Sequence, residues 1–264
     1  MKITVFTSNQ PRHISLIKSL AVIADEVFAV QECNTVFPGQ VEDFFKKSDV
    51  MQNYFENVMR AEKEVFGLPM FLPSNVQSLS LKSGDLNKLN MEILKPALKS
   101  DFYIVFGSSF IKGELIDFLV SKRAINIHMG LSPFYRGSSC NFWALYDDKP
   151  DYVGATIHLL SKGLDSGAML LHAVPKAEEI EPFLLGMYAV KVAHNGLINA
   201  IKTGEILKME AIPQDKALEI RYTRNKDFTD EVASRYLAKQ PTAQDIFQSL
   251  RNRDLSILLN PYIE

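Results

Sequence analysis

Short apolar runs and longer stretches of helical spacing alternate along the first half of this chain. Lys2–Thr7 is a short run rich in β-branched residues, of the kind buried strands carry. Ser8-Asn9-Gln10-Pro11 supplies a turn that can open a helix, because proline fits an early helical position. Ile14, Leu16, Ile17, Leu20 and Ile23 then recur at helical spacing, and Val27–Val30 follows as a second strand. Strand–helix–strand at this point predicts an α/β fold, a Rossmann-like, mainly parallel sheet with helices on both faces.

Further along, Asn34–Gly39 is expected to be a loop, Val41–Phe66 a long or broken helix and Pro69–Phe71 a short strand. Leu86–Leu98 is expected to be a helix. Phe102–Phe106 is apolar throughout, as a strand covered on both faces should be. Gly107-Ser108-Ser109 turns the chain into a helix over Glu114–Val120, and Ala124–His128 is the next strand. Ser139–Leu145 has helical character, while Gly154–Leu160 and Ala168–Val174 are strands around the turn Gly163–Gly167, GLDSG. Pro182–Thr203 is a long amphipathic helix closed by Gly204. Beyond it the pattern weakens to an edge strand at Leu207–Ile212, a loop or strand at Ile220–Thr223, and short surface helices at Phe228–Tyr236 and Ala243–Leu250. The expected organisation is a main domain over residues 1–205 and a short C-terminal appendage, 206–264. The appendage packs on the main domain or on a second copy, so a homodimer is left open.

Composition narrows the function classes. A net charge of −2 gives no footprint for nucleic acid or an anionic membrane. No apolar run approaches the roughly 20 residues that span a bilayer, and Met1–Thr7 runs into a strand without a signal-peptide pattern. Two cysteines, Cys33 and Cys140, exclude a disulfide framework or a cysteine zinc knot, so a reducing cytoplasm is the expected compartment. The first turn lacks G-x-G-x-x-G and the chain lacks a Walker-type loop, which argues against those nucleotide sites.

The chemistry gathers in Ala124–Gly137, AINIHMGLSPFYRG. In a strand, residues two apart share a face, so Asn126 and His128 emerge together while Ile125 and Ile127 anchor the other side. Pro133 and Gly137 then force the chain out of regular structure. Asn-x-His, Leu-x-Pro-x-Tyr-Arg-Gly, Gly-Ala-Thr-Ile-His and Gly-Leu-Asp-Ser-Gly together resemble the formyltransferases that use N10-formyltetrahydrofolate, densely from about Asp101 to Leu171.

That resemblance implies formyl transfer to an amine through a tetrahedral oxyanion. It assigns catalytic roles to Asn126 as oxyanion donor, His128 as base or neighbouring cation, and Asp165 as the group orienting the imidazole. It places the folate pterin against Ser109, Phe110, Ile111 and Lys112 and against the loop of Leu160 and Gly163. Ser132, Tyr135 and Arg136 are expected beside the transferred group, with Arg136 meeting an anion or bracing the loop. Ser132 departs from a common family form, Ser-Leu-Leu-Pro, where this chain reads Gly130-Leu131-Ser132-Pro133. His158 is expected to support the site, Cys140 and Trp143 to be core, and His13, His172 and His194 to be structural. His128, His158 and Asp165 could imitate a two-histidine, one-carboxylate metal site; the Pro-x-Tyr-Arg-Gly loop favours formyl transfer without a metal.

Three acceptors compete within the resemblance. Methionyl-tRNA enzymes add a basic β-barrel, whereas Ile220–Glu264 is mixed in charge and helix-leaning. Glycinamide-ribonucleotide enzymes use a glycine-rich loop after the first strand, and Thr7–His13 has no glycine. A nucleotide-linked amino sugar, a 4-amino-4,6-dideoxy hexose on dTDP or UDP, is the remaining expectation. Asn9, Gln10, Arg12 and the Asn34–Gln40 loop are expected to contact it. A formylfolate hydrolase and a non-catalytic folate- or nucleotide-sugar-binding module are the alternatives.

Overall fold

The computed structural model describes residues 1–34, 44–68 and 70–264. Among them, eight strands form one sheet. These are β1 (Lys2–Thr7), β2 (Glu26–Cys33), β3 (Val76–Lys82), β4 (Phe102–Val105), β5 (Ile125–His128), β7 (Ala155–Leu159), β8 (Met169–Val174) and β10 (Tyr262–Ile263). Two short strands, β6 (Tyr135–Gly137) and β9 (Arg221–Thr223), pair separately. The order across the large sheet is β10-β8-β7-β5-β4-β1-β2-β3. From β3 to β5 all pairs are parallel, and β7 then runs antiparallel to both β5 and β8. The expected α/β, mainly parallel architecture is the one observed.

Side-chain alternation explains the layers. Ile3 and Val5 of β1 join Leu16, Ile17 and Leu20 of α1 (Pro11–Ile23) and the apolar stripe of α6 (Pro182–Thr203) in one core. Phe6 points the other way, into a core with Val30, Tyr103 and Leu115, Ile116 and Leu119 of α4 (Gly113–Ser121). A third cluster joins α5 (Cys140–Tyr146) to α6, α7 (Asp230–Ala238) and α8 (Ala243–Arg251).

Several elements differ from their sequence expectation. Helix α2 spans Asp49–Phe66 and is started by Ser48, whose hydroxyl accepts from the Met51 amide. Of the rest of that expected helix, Phe44–Lys46 is a short 3-10 turn, while residues 41–43, most of the loop before it and Pro69 lie outside the described residues; Met70 and Phe71 are not in a strand. Leu86–Leu98 is three short turns, with α3 confined to Met91–Leu94, because Pro96 cannot continue an α-helix. Leu207–Ile212 forms a single bridge, Ile212 to Met169, in place of an edge strand. The C-terminal segment is woven into the domain: β10 pairs with β8, β9 pairs with β6, and Arg253 donates to the carbonyls of Asp151, Val153 and Pro175.

Three buried histidines outside the expected catalytic set are held neutral. His172 accepts from the Leu259 amide at Nδ1, which leaves Nε2 to donate to the Ser132 carbonyl; burial pushes its pKa down to about 4. His13 is lowered by burial and by Arg12. His194 is pushed by burial to about 3, and neither ring nitrogen has a hydrogen-bond partner among the described residues. Their unfolded forms take up protons below the ordinary value of 6.5 while the folded forms do not, so stability is full above that pH and is lost as pH falls. His194→Leu is therefore predicted to match or exceed the natural protein by about 1 kcal/mol at pH 7, since an unsatisfied buried polar group is removed. It should also lose less stability than the natural protein between pH 6.5 and about 4. Urea unfolding at several pH values checks both; a variant with unchanged acid sensitivity would contradict the assignment.

Candidate active site

The site forms where β5 ends, at the strand's carboxyl edge. Its register sets Asn126 opposite His158 and His128 opposite Thr156 on β7, while Ile125 and Ile127 enter the α1/α6 core. Asp165 comes from the turn after β7. It adopts φ 43°, a left-handed conformation that asparagine and aspartate tolerate better than most residues. Gly167 lets this turn close against the sheet, since a Cβ there would overlap the Leu159 carbonyl. From the C-terminal segment, Gln214 clamps the turn by donating to the carbonyls of Asp165 and Gly167 at 2.8 and 3.0 Å.

Backbone partners fix the polarity of the network. His158 Nδ1 lies 2.8 Å from the Leu159 carbonyl, which can only accept, so Nδ1 carries the hydrogen and Nε2 is an acceptor. The Asn126 amide donates to that Nε2 at 3.0 Å and to Asp165 Oδ1 at 3.1 Å. Both amide hydrogens are committed, and a flipped carboxamide would face its oxygen to a carboxylate. His128 Nδ1 lies 3.4 Å from Asp165 Oδ2, and its Nε2 lies 3.4 Å from the Cys140 thiol. Gly130 makes room for this last pair: a Cβ there would collide with Cys140 and stand 3.1 Å from His128 Nε2.

Charge follows geometry. Burial disfavours a charged His128, yet its pKa is raised, because the Cys140 sulfur and the Asp165 carboxylate both attract the proton. Burial would raise Asp165, and hydrogen bonds from His128 and Asn126 hold it below the ordinary value. Burial takes His158 down to about 4, so it is a neutral acceptor. The result is an imidazolium–carboxylate pair beside an oriented amide, in the wall of a 260 Å³ cavity.

Asn126, His128 and Asp165 thus converge, and Ser109, Phe110, Ile111, Leu160 and Gly163 line the same cavity. Lys112 is not in its lining; its amide donates to Asn87 and its ammonium lies 5.6 Å from the Phe110 ring. The side chains expected beside the transferred group are engaged inside the protein. Ser132 is fully buried, Tyr135 donates to Asp147 at 3.1 Å, and Arg136 pairs with Glu219 at 2.8 Å. Arg12 borders a second cavity, with its guanidinium on buried Glu62 at 2.8 Å and on Gln10 at 3.2 Å. Asn9 is half-buried in the same turn.

Two contributions escaped the sequence reading. Cys140 is the imidazole's partner as well as a core residue. Glu32, 1% exposed at the end of β2, accepts from the amides of Gly84, Leu86 and Ser109 and from the Ser109 hydroxyl. It thereby pins the cavity loop after β4. A glutamate inside the sheet-forming run Val27–Cys33 was the available signal.

A family model described as formyl transferase matches residues 55–183, the stretch that holds Asn126, His128 and Asp165. That segment is similar to the formyl transferase family. The chain is 27% identical over 156 residues to methionyl-tRNA formyltransferase of a Cyanothece species, covering 57% of this chain and 42% of that protein. It therefore spans about two fifths of the length of that relative. Among solved structures it resembles a sugar N-formyltransferase from a Shewanella species, at 18% identity and TM-score 0.51, covering 86% of this chain and 78% of that one. An N-formyltransferase from Helicobacter canadensis, solved with folinic acid and dTDP-3-aminofucose, is also similar, at 11% identity and TM-score 0.51 over 89% of this chain and 79% of that one. At these identities the structural likeness is one of fold.

Removing the carboxylate charge tests the electrostatics of the domain. Because His128's folded pKa lies above the ordinary 6.5, its pairing stabilises the fold fully below that pH and fades as pH rises through the folded value. In Asp165→Asn the His128 pKa is predicted to fall by roughly one unit or more. Histidine-detected NMR titration reads this directly, and an unmoved His128 would show that Asp165 does not set its charge.

Proposed function

We propose that this domain transfers a formyl group from N10-formyltetrahydrofolate to the amine of a nucleotide-linked amino sugar, a 4-amino-4,6-dideoxy hexose on dTDP or UDP. The observation that carries the reaction is the convergence of Asn126, His128 and Asp165 on one cavity wall. Folate lies in that cavity, with its pterin against the loop that Glu32 pins, and its formyl carbon reaches Asn126 and His128. The amine attacks the formyl carbon, and the new oxyanion is met by an Asn126 hydrogen and by the His128 imidazolium. To receive it, Asn126 exchanges its bond to Asp165, which is partly open to the cavity, and keeps its bond to buried His158. His128 gives its proton to the departing folate nitrogen and takes one from the attacking nitrogen, so the proton count closes. Asp165 keeps the imidazole oriented throughout.

Charge supports a sugar over tRNA as acceptor. Residues 206–264 contain nine lysines and arginines against nine aspartates and glutamates, no excess for a polyphosphate backbone. The helicobacter fold relative was solved with a dTDP amino sugar, which supports the same class. Asn9, Gln10 and Arg12 lie on the acceptor side in this reading. Arg12→Ala is a poor probe of it, because it would strand buried Glu62 at a cost of about 3–5 kcal/mol. No helix among the described residues is long and apolar enough to cross a membrane. Cys33 and Cys140 are both free thiols, which suits the cytoplasm.

Incubation with formylfolate and a panel of amines tests the proposal. Tetrahydrofolate is predicted to appear only when a nucleotide-linked amino sugar is present, and Asn126→Ala should lower kcat ~10²–10³-fold. Formate release without any amine would make the domain a hydrolase, and no turnover with any amine would refute transfer.

A further inference from the structure

Behind the imidazole lies a second cavity, of 310 Å³, and Met129 lines both chambers. Cys140, whose thiol touches His128 Nε2, is in the wall of the second one. A group seated there is separated from His128 by the Cys140 thiol and from the first chamber by Met129. The lining has the chemistry of a site. Tyr54, Phe142, Phe183 and Tyr236 present ring surface, and Ser139 and Asn141 present a hydroxyl and an amide. Tyr236 is 4% exposed and Tyr54 is half-buried in the same wall.

Helix α6 adds a separate sign. It contains two glycines besides the one that closes it, and glycine in a helix interior is destabilising. Gly196 has a packing reason, since a Cβ there would press on the Tyr262 ring at 3.1 Å. Gly186 has none: a Cβ would meet no atom within 4 Å, and the residue faces the second cavity. Space is kept open at this position.

We propose that the second cavity seats the acceptor's sugar ring and that Gly186 sets the size of ring admitted. This rests on the transferase reading above and deepens it. The ring is of the deoxy class: aromatic surfaces cover its apolar face, while the few hydroxyl and amide groups of the lining meet its remaining polar substituents. Its amine passes Cys140 to reach the formyl carbon held in the first chamber.

The test compares the natural protein with Gly186→Ala and Gly186→Leu, each checked for folding by its Tm. dTDP-4-amino-4,6-dideoxyglucose and its UDP counterpart are the probes, read by calorimetric binding and by steady-state formyl transfer. 5-Formyltetrahydrofolate binding monitors the first chamber. The expected result is weaker sugar-nucleotide binding in the order Ala then Leu, with acceptor KM raised on the order of tenfold or more in the leucine variant. Folate affinity should stay within about twofold and Tm should not fall. Unchanged binding and KM in a folded Gly186→Leu would overturn the chamber assignment while leaving transfer standing. Binding that the leucine abolishes, without formyl transfer in the natural protein, would support the chamber and sink the transferase reading. Failure of the natural protein to bind either probe would overturn the proposal outright.

Discussion

A single carboxamide ties the site together. Asn126 spends both amide hydrogens, one on a buried neutral imidazole and one on a carboxylate, and each bond has only one allowed direction. The first is dictated by the Leu159 carbonyl, which forces the His158 tautomer. The second is dictated by Asp165, whose charge is balanced by His128. A hydrogen bond to a charged group contributes ~1.5–3 kcal/mol, and leaving such a group bare costs at least as much. The bond to buried His158 is therefore the fixed one, while the bond to Asp165, whose carboxylate is partly exposed and also held by His128, is the one that can open.

The fold supplies the rigidity this needs from several distant places. Antiparallel β7 puts His158 beside Asn126, and Gly167 allows the Asp165 turn to close. Gln214 reaches that turn from beyond residue 205. On the cavity's other side, Glu32 draws the loop after β4 onto the end of β2 with four hydrogen bonds. Below the site, Arg221 grips Asp147 with two hydrogen bonds and lies 4.8 Å from the Trp143 ring, while the Tyr135 hydroxyl meets the same carboxylate. The Pro-x-Tyr-Arg-Gly loop is braced from within, so its side chains hold the backbone, and β5 and the Asp165 turn line the first cavity.

Much of this was legible in the sequence, for local reasons. Period-two alternation put Asn126 and His128 on one face, two glycines bounded the Asp165 turn, and an amphipathic run with proline at its start and glycine at its end delimited α6. What escaped depends on contacts far apart in sequence. β3 is a half-exposed edge strand whose residues carry little hydrophobic signal, and it exists because β2 offers an open edge. β10 is two residues long and is fixed by pairing with Ala173 and Val174. Leu86–Leu98 has apolar spacing that suits a helix, but Pro96 and the capping of short turns by Asn90 break it. Cys140 looks like any small apolar residue until folding sets its thiol on His128. Ser132, Tyr135 and Arg136 were visible as a motif, while the direction of their side chains was not.

Formyl transfer in this site requires the first cavity to present a formyl oxygen to Asn126. The most direct measurement is a crystal structure of the protein with 5-formyltetrahydrofolate, which carries the formyl group but does not transfer it. The pterin is predicted to lie against the loop of Ser109–Ile111, with the formyl group beside His128 and its oxygen ~3 Å from the Asn126 amide nitrogen. Folate bound elsewhere, or bound with Asn126 still closed on Asp165 and the formyl group turned away, would contradict it.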